Sequence, residues 1–434
     1  MYDSKIALRT REQIDQFLGV FYPHFSKPGL KFLRQMLYGI QITKSVILNR
    51  IAAEIDEETK QKKIEERLCR HLAEEGMWSC IHKAIMEQAK RFVRKSTLVI
   101  IDPSDIQKPY AKKMPYLAKV WDGSRGEVGE NLGYWGCMAI ACETGSRRVV
   151  PLQFRLWSTV APDYKGENEE IKSVVTSVSS AVGRRGIYVY DRGGDRNEIF
   201  RFFIAENHDF IVRMTKKRHL VHEGERINIL VLCAMCHTPH RSVVRFNSNG
   251  EERDTKISYG AMPVRLPEDP GHPGMHERDL RLVVVRGFGR TAMLLLTSLQ
   301  GDGSKEDVWR VVDGYLTRWR VEETIRFVKQ SYSVEDMRLL SMARLRNLAA
   351  LVLAVAYFVM VWIGKSERRE VLRTHIVGMA KRIFGAPEFY YYALADGIQR
   401  LLTRHGRWDA RLDLGKVLVK PSPQLEFAFT DGSG

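Results

Sequence analysis

The sequence predicts an α/β fold, in which strands and helices alternate to form layers around one sheet. Three short runs rich in β-forming residues, TLVIID, YWGCMAIACE and RVVPLQFRLWS, follow one another after Ser96, as paired strands do. A polar helical segment, NEEIKSVVTSVSSAV, separates them from a fourth run, GIYVYD. Aspartates close the first and the fourth run, at Asp102 and Asp191. Strand, hairpin, helix and strand in this order favour an α/β layer architecture.

Length and composition fit a large, basic, globular protein. The 434 residues are 44% hydrophobic, which excludes general disorder and allows two or three domains. Lysine and arginine number 68 against 52 acidic residues, and the formal net charge of +16 is spread along the chain. Such a balance suits a polyanionic partner, most often nucleic acid.

Residues 1–95 are predicted to form an N-terminal helical region that binds DNA. The segments KFLRQMLYGIQ, TKSVILNRIAAEIDEE and WSCIHKAIMEQAKRFVRK have helical patterns without a strand signal, and Thr43 is a candidate N-cap. Two helices that meet near Ile42 and Thr43 fit a helix-turn-helix, but any small helical bundle produces the same pattern. The sequence leaves both interpretations open.

Residues 96–208 are predicted to form the first part of the α/β core. TLVIID is expected to be a strand that ends at Asp102, and ETGSRR to be the turn of the hairpin between the next two strands. After Asp191, the segment RGGDRNEIFRFFIAEN supplies a glycine turn and then a helix that Asp195 can cap. Carboxylates therefore follow two strands of one layer.

Residues 209–298 are predicted to form a β-rich insertion, after which the core resumes over 299–365. Its strand patterns are FIVRM, SVVRF, TKISYG, MPVRL, LRLVVVRG and TAMLLLTSL. The segment RLPEDPGHPGMHERD is expected to be an exposed loop. Residues 366–434 are predicted to form a C-terminal helical region and a polar tail.

Neither disulfides nor a membrane span is expected. The six cysteines do not make a disulfide framework, and the start MYDSKIALRTREQ lacks an apolar signal segment, so we expect a cytoplasmic protein. The apolar run LAALVLAVAYFVMVWIG lies at the lower length limit for crossing a bilayer and directly follows a charged helix, which favours a buried core helix. No G-x-x-x-x-G-K-[ST] motif is present, so no nucleotide cofactor is expected.

A charged stripe runs along the segment YLTRWRVEETIRFVK, residues 315–329. At about 100° per residue, one narrow face of a helix here carries five polar residues: Tyr315, Arg318, Glu322, Arg326 and Lys329. A solvated surface with i,i+4 pairs from Glu322 to Arg318 and Arg326 would give the same stripe. Partner carboxylates elsewhere in the fold would instead make it a working site.

Two aspartates after strands and a glutamate on a helix are the groups that hold divalent cations. Hard ions such as Mg²⁺ bind carboxylate oxygens and retain waters, so that a substrate phosphate can complete the coordination shell. Two such ions about 4 Å apart can activate a hydroxyl on one side of a phosphorus atom and stabilise the leaving oxygen on the other. Asp102, Asp191 and Glu322 are therefore the candidate catalytic and metal-binding residues.

These residues resemble the motifs of DDE transposases of bacterial insertion sequences, in the group with a Y-R-E-K signature. Tyr315, Arg318, Glu322 and Lys329 match that signature at every position. The turn YDRGGDR, with Asp191 and Asp195, is similar to the group's second acidic motif, and LVIIDPSDIQKP, with Asp102, to the first. Asp105 is the alternative first acid, but it lies beyond Pro103, and the strand pattern favours Asp102.

The resemblance implies an RNase H-like catalytic core, interrupted by the β-rich insertion and flanked by N- and C-terminal helical regions. It implies two-metal-ion cleavage and strand transfer at the inverted-repeat ends of a mobile element, with Mg²⁺, or Mn²⁺ as a substitute. The partners it implies are double-stranded DNA, both terminal repeats and target, and a second copy of the chain in a synaptic homodimer. Tyr315, Arg318 and Lys329 would contact DNA phosphates, with Arg326 added by its position on the stripe. A nucleoid-associated location follows.

Two other functions fit parts of the same pattern. A metal-dependent nuclease or resolvase would cut DNA without strand transfer, and a DNA-binding regulator would keep the fold without chemistry. An intact acidic triad argues against the regulator.

The segment Cys233-Ala-Met-Cys236-His237 lacks the second ligand pair of a zinc site and is interpreted as strand core. Trp319 is predicted to pack at the edge of the core, and Trp309 is a weak candidate for stacking on a base.

Overall fold

The N-terminal region is a helical bundle. The computed structural model describes residues 2–122, 127–146, 148–248, 251–271, 274–364, 369–380, 390–404 and 408–409. The bundle helices, with one short strand among them, are α1 (Tyr2–Leu18), α2 (Lys27–Thr43), α3 (Leu48–Ala53), β1 (Ile55–Asp56), α4 (Gln61–His71) and α5 (Met77–Ala89). The strand was not predicted. Its two residues pair in parallel with Trp408 and Asp409, a partner too distant in the chain to leave a local signal.

Helix α2 is the centre of this bundle. All its residues from Gly29 to Ile42 except Lys31 are buried, and a Cβ added to Gly39 would lie 2.3 Å from Ile51 Cγ2, so only glycine lets α3 approach this closely. The predicted N-cap role of Thr43 is wrong, because Thr43 lies in the last turn of α2 and its hydroxyl donates to Gly39 O at 2.7 Å. The burial of α2 favours the bundle interpretation, and the DNA-binding role of this region stays a prediction.

The central sheet begins with four strands that form antiparallel pairs. They are β2 (Leu98–Gln107), β3 (Ala118–Asp122), β4 (Glu127–Cys142) and β5 (Val149–Trp157). β4 pairs with each of the other three. The predicted hairpin of β4 and β5 is confirmed by their antiparallel register, from Cys142 opposite Val149 to Trp135 opposite Trp157; residue 147 of its turn lies outside the described residues.

Strand β2 is longer than its sequence pattern predicts. The expected end at Asp102 is wrong, because pairing with β4 continues through Pro103 and Asp105 to Gln107. Beyond Ile100, β2 pairs with β4 alone. A proline is tolerated there, because this part of the strand is at an edge and one side of its backbone has no strand partner.

Two parallel strands complete the core. After β5 come α6 (Glu167–Val182), β6 (Ile187–Tyr190), α7 (Asn197–Ala205) and β7 (Asp209–Arg213). β6 lies between β2 and β7 and is parallel to both. The five strands therefore have the order β5, β4, β2, β6, β7. Among the first three, each neighbouring pair is antiparallel, and β6 and β7 continue the sheet parallel to β2.

Six strands follow β7: β8 (His219–His222), β9 (Glu225–Asn228), β10 (His240–Ser248), β11 (Glu251–Val264), β12 (Leu280–Arg286) and β13 (Met293–Thr297), with α8 (Ile229–Met235) between β9 and β10. β8 and β9 were not predicted and form a separate two-stranded sheet, whereas the other four were predicted and extend the central sheet. β13 pairs with β7, and β12, β11 and β10 follow outwards. The first strand of the predicted insertion, β7, thus belongs to the core. The predicted loop 265–279 contains residues 272 and 273, which lie outside the described residues.

The C-terminal half of the core is helical. Its elements are α9 (Lys305–Leu316), α10 (Trp319–Tyr332), α11 (Met342–Tyr357), the π-helical turn Phe358–Ile363, α12 (Glu370–Gly378) and α13 (Tyr391–Arg404). The segment Met342–Ile363 is long and apolar enough to cross a membrane, with a mean hydropathy of 1.9, but 89% of its most apolar window is buried. It packs against β5, α5 and α2, which confirms the predicted core helix. Most of the predicted C-terminal tail, from residue 410, lies outside the described residues.

Candidate active site

Asp102 and Asp191 lie side by side on the central sheet. The parallel register pairs Ile100 with Val189, so two residues further along each chain these aspartates lie at the same level. Asp191 directly follows β6 and caps the short 3-10 turn Arg192–Gly194, and its Oδ1 accepts a hydrogen bond from Gly193 N at 2.8 Å. That bond fixes the orientation of its carboxylate. The other carboxylate oxygen of Asp191 has no hydrogen-bond partner within the described part of the chain.

Glu322 reaches the two aspartates from a helix that begins next to them. The predicted single helix over 315–329 is wrong, because α9 ends at Leu316 and α10 begins at Trp319. Two turn residues separate them, held by a bond from Arg318 N to Tyr315 O at 3.0 Å. Both turn residues keep right-handed helical dihedrals, so the periodicity continues across the break and the sequence pattern could not reveal it.

The Arg318 guanidinium connects the helix to the sheet. Its Nη2 lies 2.5 Å from Glu322 Oε1, and its Nη1 lies 3.7 Å from Asp102 Oδ1. The i,i+4 pair from Glu322 to Arg318 that a surface helix would show is therefore present. The same guanidinium also faces a carboxylate on the sheet, which a solvated helix surface would not provide. Asp102 and Glu322 thus face the same arginine.

The electrostatics show that the three carboxylates act on one another. Burial raises the pKa of Asp102 to about 7; Arg318 opposes that shift, while the negative charges of Asp191 and Glu322 add to it. Burial also lowers the pKa of Arg318, but Tyr315, Asp102 and Glu322 outweigh burial and raise it above its usual range. The site thus holds more negative charge than its arginine neutralises, and such a site attracts cations.

The remaining residues of the signature lie on different sides of this cluster. Tyr315 is buried below Arg318, with the guanidinium 5.8 Å from its ring, and its hydroxyl has no partner among the described residues. Lys329 Nζ lies 3.6 Å from Asp105 and 3.4 Å from Glu335. The structure therefore places the alternative acid, Asp105, against the signature lysine.

Arg326 lies apart from the acidic cluster. It pairs with Glu323 at 2.7 Å, not with Glu322, and its guanidinium is 6.0 Å from the ring of Trp319. Trp319 itself is 53% exposed, so the predicted packing at the core edge is wrong. Trp309 packs against Tyr259, with ring centroids 5.5 Å apart, at the partly buried side of α9.

Asp195 has a different role from the predicted helix cap. Its carboxylate is fully buried and accepts bonds from Thr215 N at 2.7 Å, Thr215 Oγ1 at 2.6 Å and Arg218 Nε at 2.7 Å. The cap of α7 is Arg196, whose side chain makes no capping bond. Asp195 therefore ties the turn that follows Asp191 to the loop that follows β7. The sequence marks Asp195 only as a turn residue, because Thr215 and Arg218 are about twenty positions away.

Replacing Asp195 with asparagine should lower the free energy of unfolding by about 3 kcal/mol, since it leaves the buried Arg218 guanidinium without its charge partner. Urea denaturation followed by circular dichroism measures the change. Asp254→Asn is the matched control: it removes a carboxylate paired with Arg245 on the exposed β10–β11 hairpin and should leave the stability unchanged. Equal stability of the two variants would contradict a structural role of Asp195.

Lys108 is a second residue whose role the sequence does not show. Burial lowers its pKa to about 8, and its ammonium group donates to the carbonyls of Val334 and Glu335. These residues belong to the 3-10 turn that follows α10. Lys108 therefore fastens the end of β2 to the turn that carries Glu335, the second acidic neighbour of Lys329.

Cys233 lies in α8 and Cys236 caps the end of that helix, so the predicted strand core is wrong. Both thiols are buried, and burial raises the pKa of Cys236 to about 11, so it is a neutral thiol. Its Sγ donates to the carbonyl of His237. No three His, Cys, Asp or Glu side chains in the described ranges stand close enough together to hold a metal ion in this conformation.

Comparisons with known proteins identify the family. The family profile described as "Transposase DDE domain" matches residues 94–359, a segment that contains Asp102, Asp191 and Glu322. Among solved structures, the chain is similar to a piggyBac transposase in a synaptic complex with hairpin DNA, at 11% identity and a TM-score of 0.40, covering 100% of this chain and 88% of that one. No curated protein matches the chain. With the family profile spanning more than half of its length, the chain belongs to the transposases with a DDE domain.

Proposed function

We propose that this protein is a DNA transposase that cuts the ends of an insertion sequence and joins them to target DNA. The observation that carries the proposal is that Arg318 faces both Asp102 and Glu322, and that the charges of Asp191 and Glu322 act on Asp102, inside the segment that matches the transposase family. We also propose that β5, β4, β2, β6 and β7 form an RNase H-like core. An antiparallel trio followed by two parallel strands supports this assignment.

The chemistry of the three acids fits divalent metal ions. Carboxylate oxygens are the hard donors that Mg²⁺ and Mn²⁺ bind. The raised pKa of Asp102 comes mainly from its burial, and the neighbouring charges of Asp191 and Glu322 add to it. Arg318 supplies the positive charge among these acids in the described conformation. Two Mg²⁺ or Mn²⁺ ions bound there would supply activation of the attacking hydroxyl and stabilisation of the leaving oxygen.

The protein side chains then have separate tasks. Asp102, Asp191 and Glu322 would hold the metal ions, and the bond from Gly193 N keeps the Asp191 carboxylate oriented. Arg318 carries a guanidinium that could pair with a DNA phosphate. Lys329 lies further along α10, where it would contact the backbone of the same strand. Tyr315 supports the Arg318 guanidinium from below, and Arg326 faces solvent beside Trp319 and could meet DNA only outside the cluster.

The proposed partners are the terminal inverted repeats, target DNA and a second copy of the chain in a synaptic homodimer, in the nucleoid of the cytoplasm. A nuclease or resolvase with the same acids would cut without joining. Incubating the protein with its own flanking DNA, Mg²⁺ and a target plasmid distinguishes these functions, because only a transposase transfers a labelled end to the plasmid. A catalytically inactive regulator would bind the ends and do neither.

Removing divalent metal should abolish cleavage, and Mg²⁺ or Mn²⁺ should restore it. Ca²⁺ should support end binding with little cleavage, because it accepts longer and looser coordination than the reaction requires. Gel shifts and cleavage of a labelled end, each run with EDTA, Ca²⁺, Mg²⁺ and Mn²⁺, measure both properties on one preparation. Cleavage that persists in EDTA would contradict metal-dependent chemistry at the three acids.

A further inference from the structure

A cluster of exposed cations lies at the end of the sheet opposite the acidic cluster. The sheet register places Ile187, Leu98, Cys142 and Val149 in one row, where β2, β5 and β6 begin and β4 ends. Six exposed basic residues lie just outside this row, and we call them the sheet-end basic patch: Lys90, Arg91, Arg94, Lys95, Arg148 and Arg184.

The patch has little acidic compensation. Lys90, Arg91, Arg94, Lys95 and Arg148 make no ion pair with a carboxylate in the described part of the chain, and only Arg184 does, with Glu206 at 3.0 Å on the surface. Glu143 is an acid at the same end of the sheet, and its partly buried carboxylate accepts a bond from the Thr97 hydroxyl. An excess of cations on one surface is stabilised by an anionic partner.

The backbone that carries these cations is held in place by several bonds. Arg185 donates to Lys90 O at 3.0 Å and to Val182 O at 2.7 Å, which joins the 3-10 turn Lys90–Phe92 to the end of α6. Arg94 N donates to Thr97 Oγ1 at 2.8 Å, and Ile187 N donates to Thr97 O at 2.8 Å.

Close packing and a buried anchor complete this support. Gly186 has a φ of +106°, and a Cβ there would lie 2.7 Å from Val99 Cγ2, so the chain enters β6 by a path that only glycine follows without strain. Val93 is fully buried between the basic residues. The patch is thus a preorganised surface, which lowers the entropic cost of binding.

We propose that the sheet-end basic patch binds the phosphates of duplex DNA at a distance from the cut, an inference that rests on the proposed transposase function. Along β2, four residues separate Leu98 from Asp102, or about 13 Å at roughly 3.3 Å per residue. At about 3.4 Å per base pair, the nearest phosphate on the patch lies at least about four base pairs from the phosphate at the acids. The patch therefore binds and orients DNA and takes no part in the chemistry.

The triple variant Arg91→Ala, Arg94→Ala, Lys95→Ala tests the inference. Each lost phosphate contact should reduce the slope of log K against log salt by about 0.9, so the slope for end binding should fall by about 2 to 3. Cleavage by DNA-saturated enzyme in Mg²⁺ should stay within about twofold of wild type. Hydroxyl-radical footprints should lose protection four or more base pairs from the cut and keep it at the cut.

A matched control removes three exposed cations from β9, β10 and β11: Arg226→Ala, Arg241→Ala, Lys256→Ala. This control variant lowers the net charge by the same amount as the patch variant. If only the total charge matters, the salt slopes of the two variants will fall equally, and that result would contradict a specific role of the patch. If wild-type protein binds and cuts its ends while the patch variant behaves as the control does, the patch inference alone fails. If the salt slope falls for the patch variant and not for the control, but wild-type protein does not cut DNA with any of the metals, the patch inference is supported and the transposase proposal fails.

Discussion

We expect Glu322→Gln to lower the rate of DNA cleavage by about a thousandfold or more while end binding persists. The substitution keeps the shape of the side chain and removes one of the two carboxylates that face Arg318. Losing a metal-binding carboxylate costs several kcal/mol of charge stabilisation in the transition state, and each 1.36 kcal/mol is a factor of ten in rate. Binding should persist or tighten slightly, because a negative charge that faces the DNA backbone is gone.

The adjacent acid provides the control for this experiment. Glu323 is on the same turn of α10, but it pairs with Arg326 at 2.7 Å and lies on the other side of the helix from Arg318. Glu323→Gln should therefore cut at the wild-type rate. Single-turnover cleavage and gel-shift affinity are measured for both variants, with circular dichroism to confirm folding. If folded Glu322→Gln cuts as fast as Glu323→Gln, the charged stripe is only a solvated surface, and the assignment of the site fails.

The sequence predicted those parts of the fold that leave a local periodic signal. The hairpin of β4 and β5, the strand before Asp191 and the core helix from Met342 each fill a short window with a regular pattern, and each is present. The order of strands in the sheet could not be predicted in this way, because it depends on pairing between distant segments. Pairing of β13 with β7 joins segments about eighty residues apart, so no local pattern could show that the predicted insertion continues the core sheet.

The candidate site divides in the same way. Tyr315, Arg318, Glu322 and Lys329 could be singled out from the sequence because one stretch of chain fixes their spacing, and it stays nearly helical across the break at Thr317 and Arg318. The structural roles of Asp195 and Lys108 could not be predicted, because their hydrogen-bond partners lie on other elements. The sequence could not predict the burial of Tyr315 either, since that burial depends on how α9 packs against the sheet.

Asp102→Asn should abolish cleavage, whereas Asp105→Asn should only weaken it, because the two acids of β2 meet different cations. Asp102 faces Arg318 at 3.7 Å, and its pKa responds to Asp191 and Glu322; Asp105 faces Lys329 at 3.6 Å. We expect a loss of about a thousandfold or more for Asp102→Asn, as for Glu322. For Asp105→Asn we expect roughly tenfold or less, since Lys329 keeps Glu335 as a partner.

Stability gives an independent measurement on the same two variants. In the folded protein the pKa of Asp102 is raised to about 7 from 3.8, so at pH 8 its charged form opposes folding, and this penalty grows as the pH rises from about 4 to about 7. In metal-free buffer at pH 8, the neutral Asp102→Asn variant should therefore be at least as stable as wild type, so loss of cleavage cannot be attributed to unfolding. Loss of cleavage in folded Asp105→Asn, with Asp102→Asn active, would instead place the first acid of the triad at Asp105.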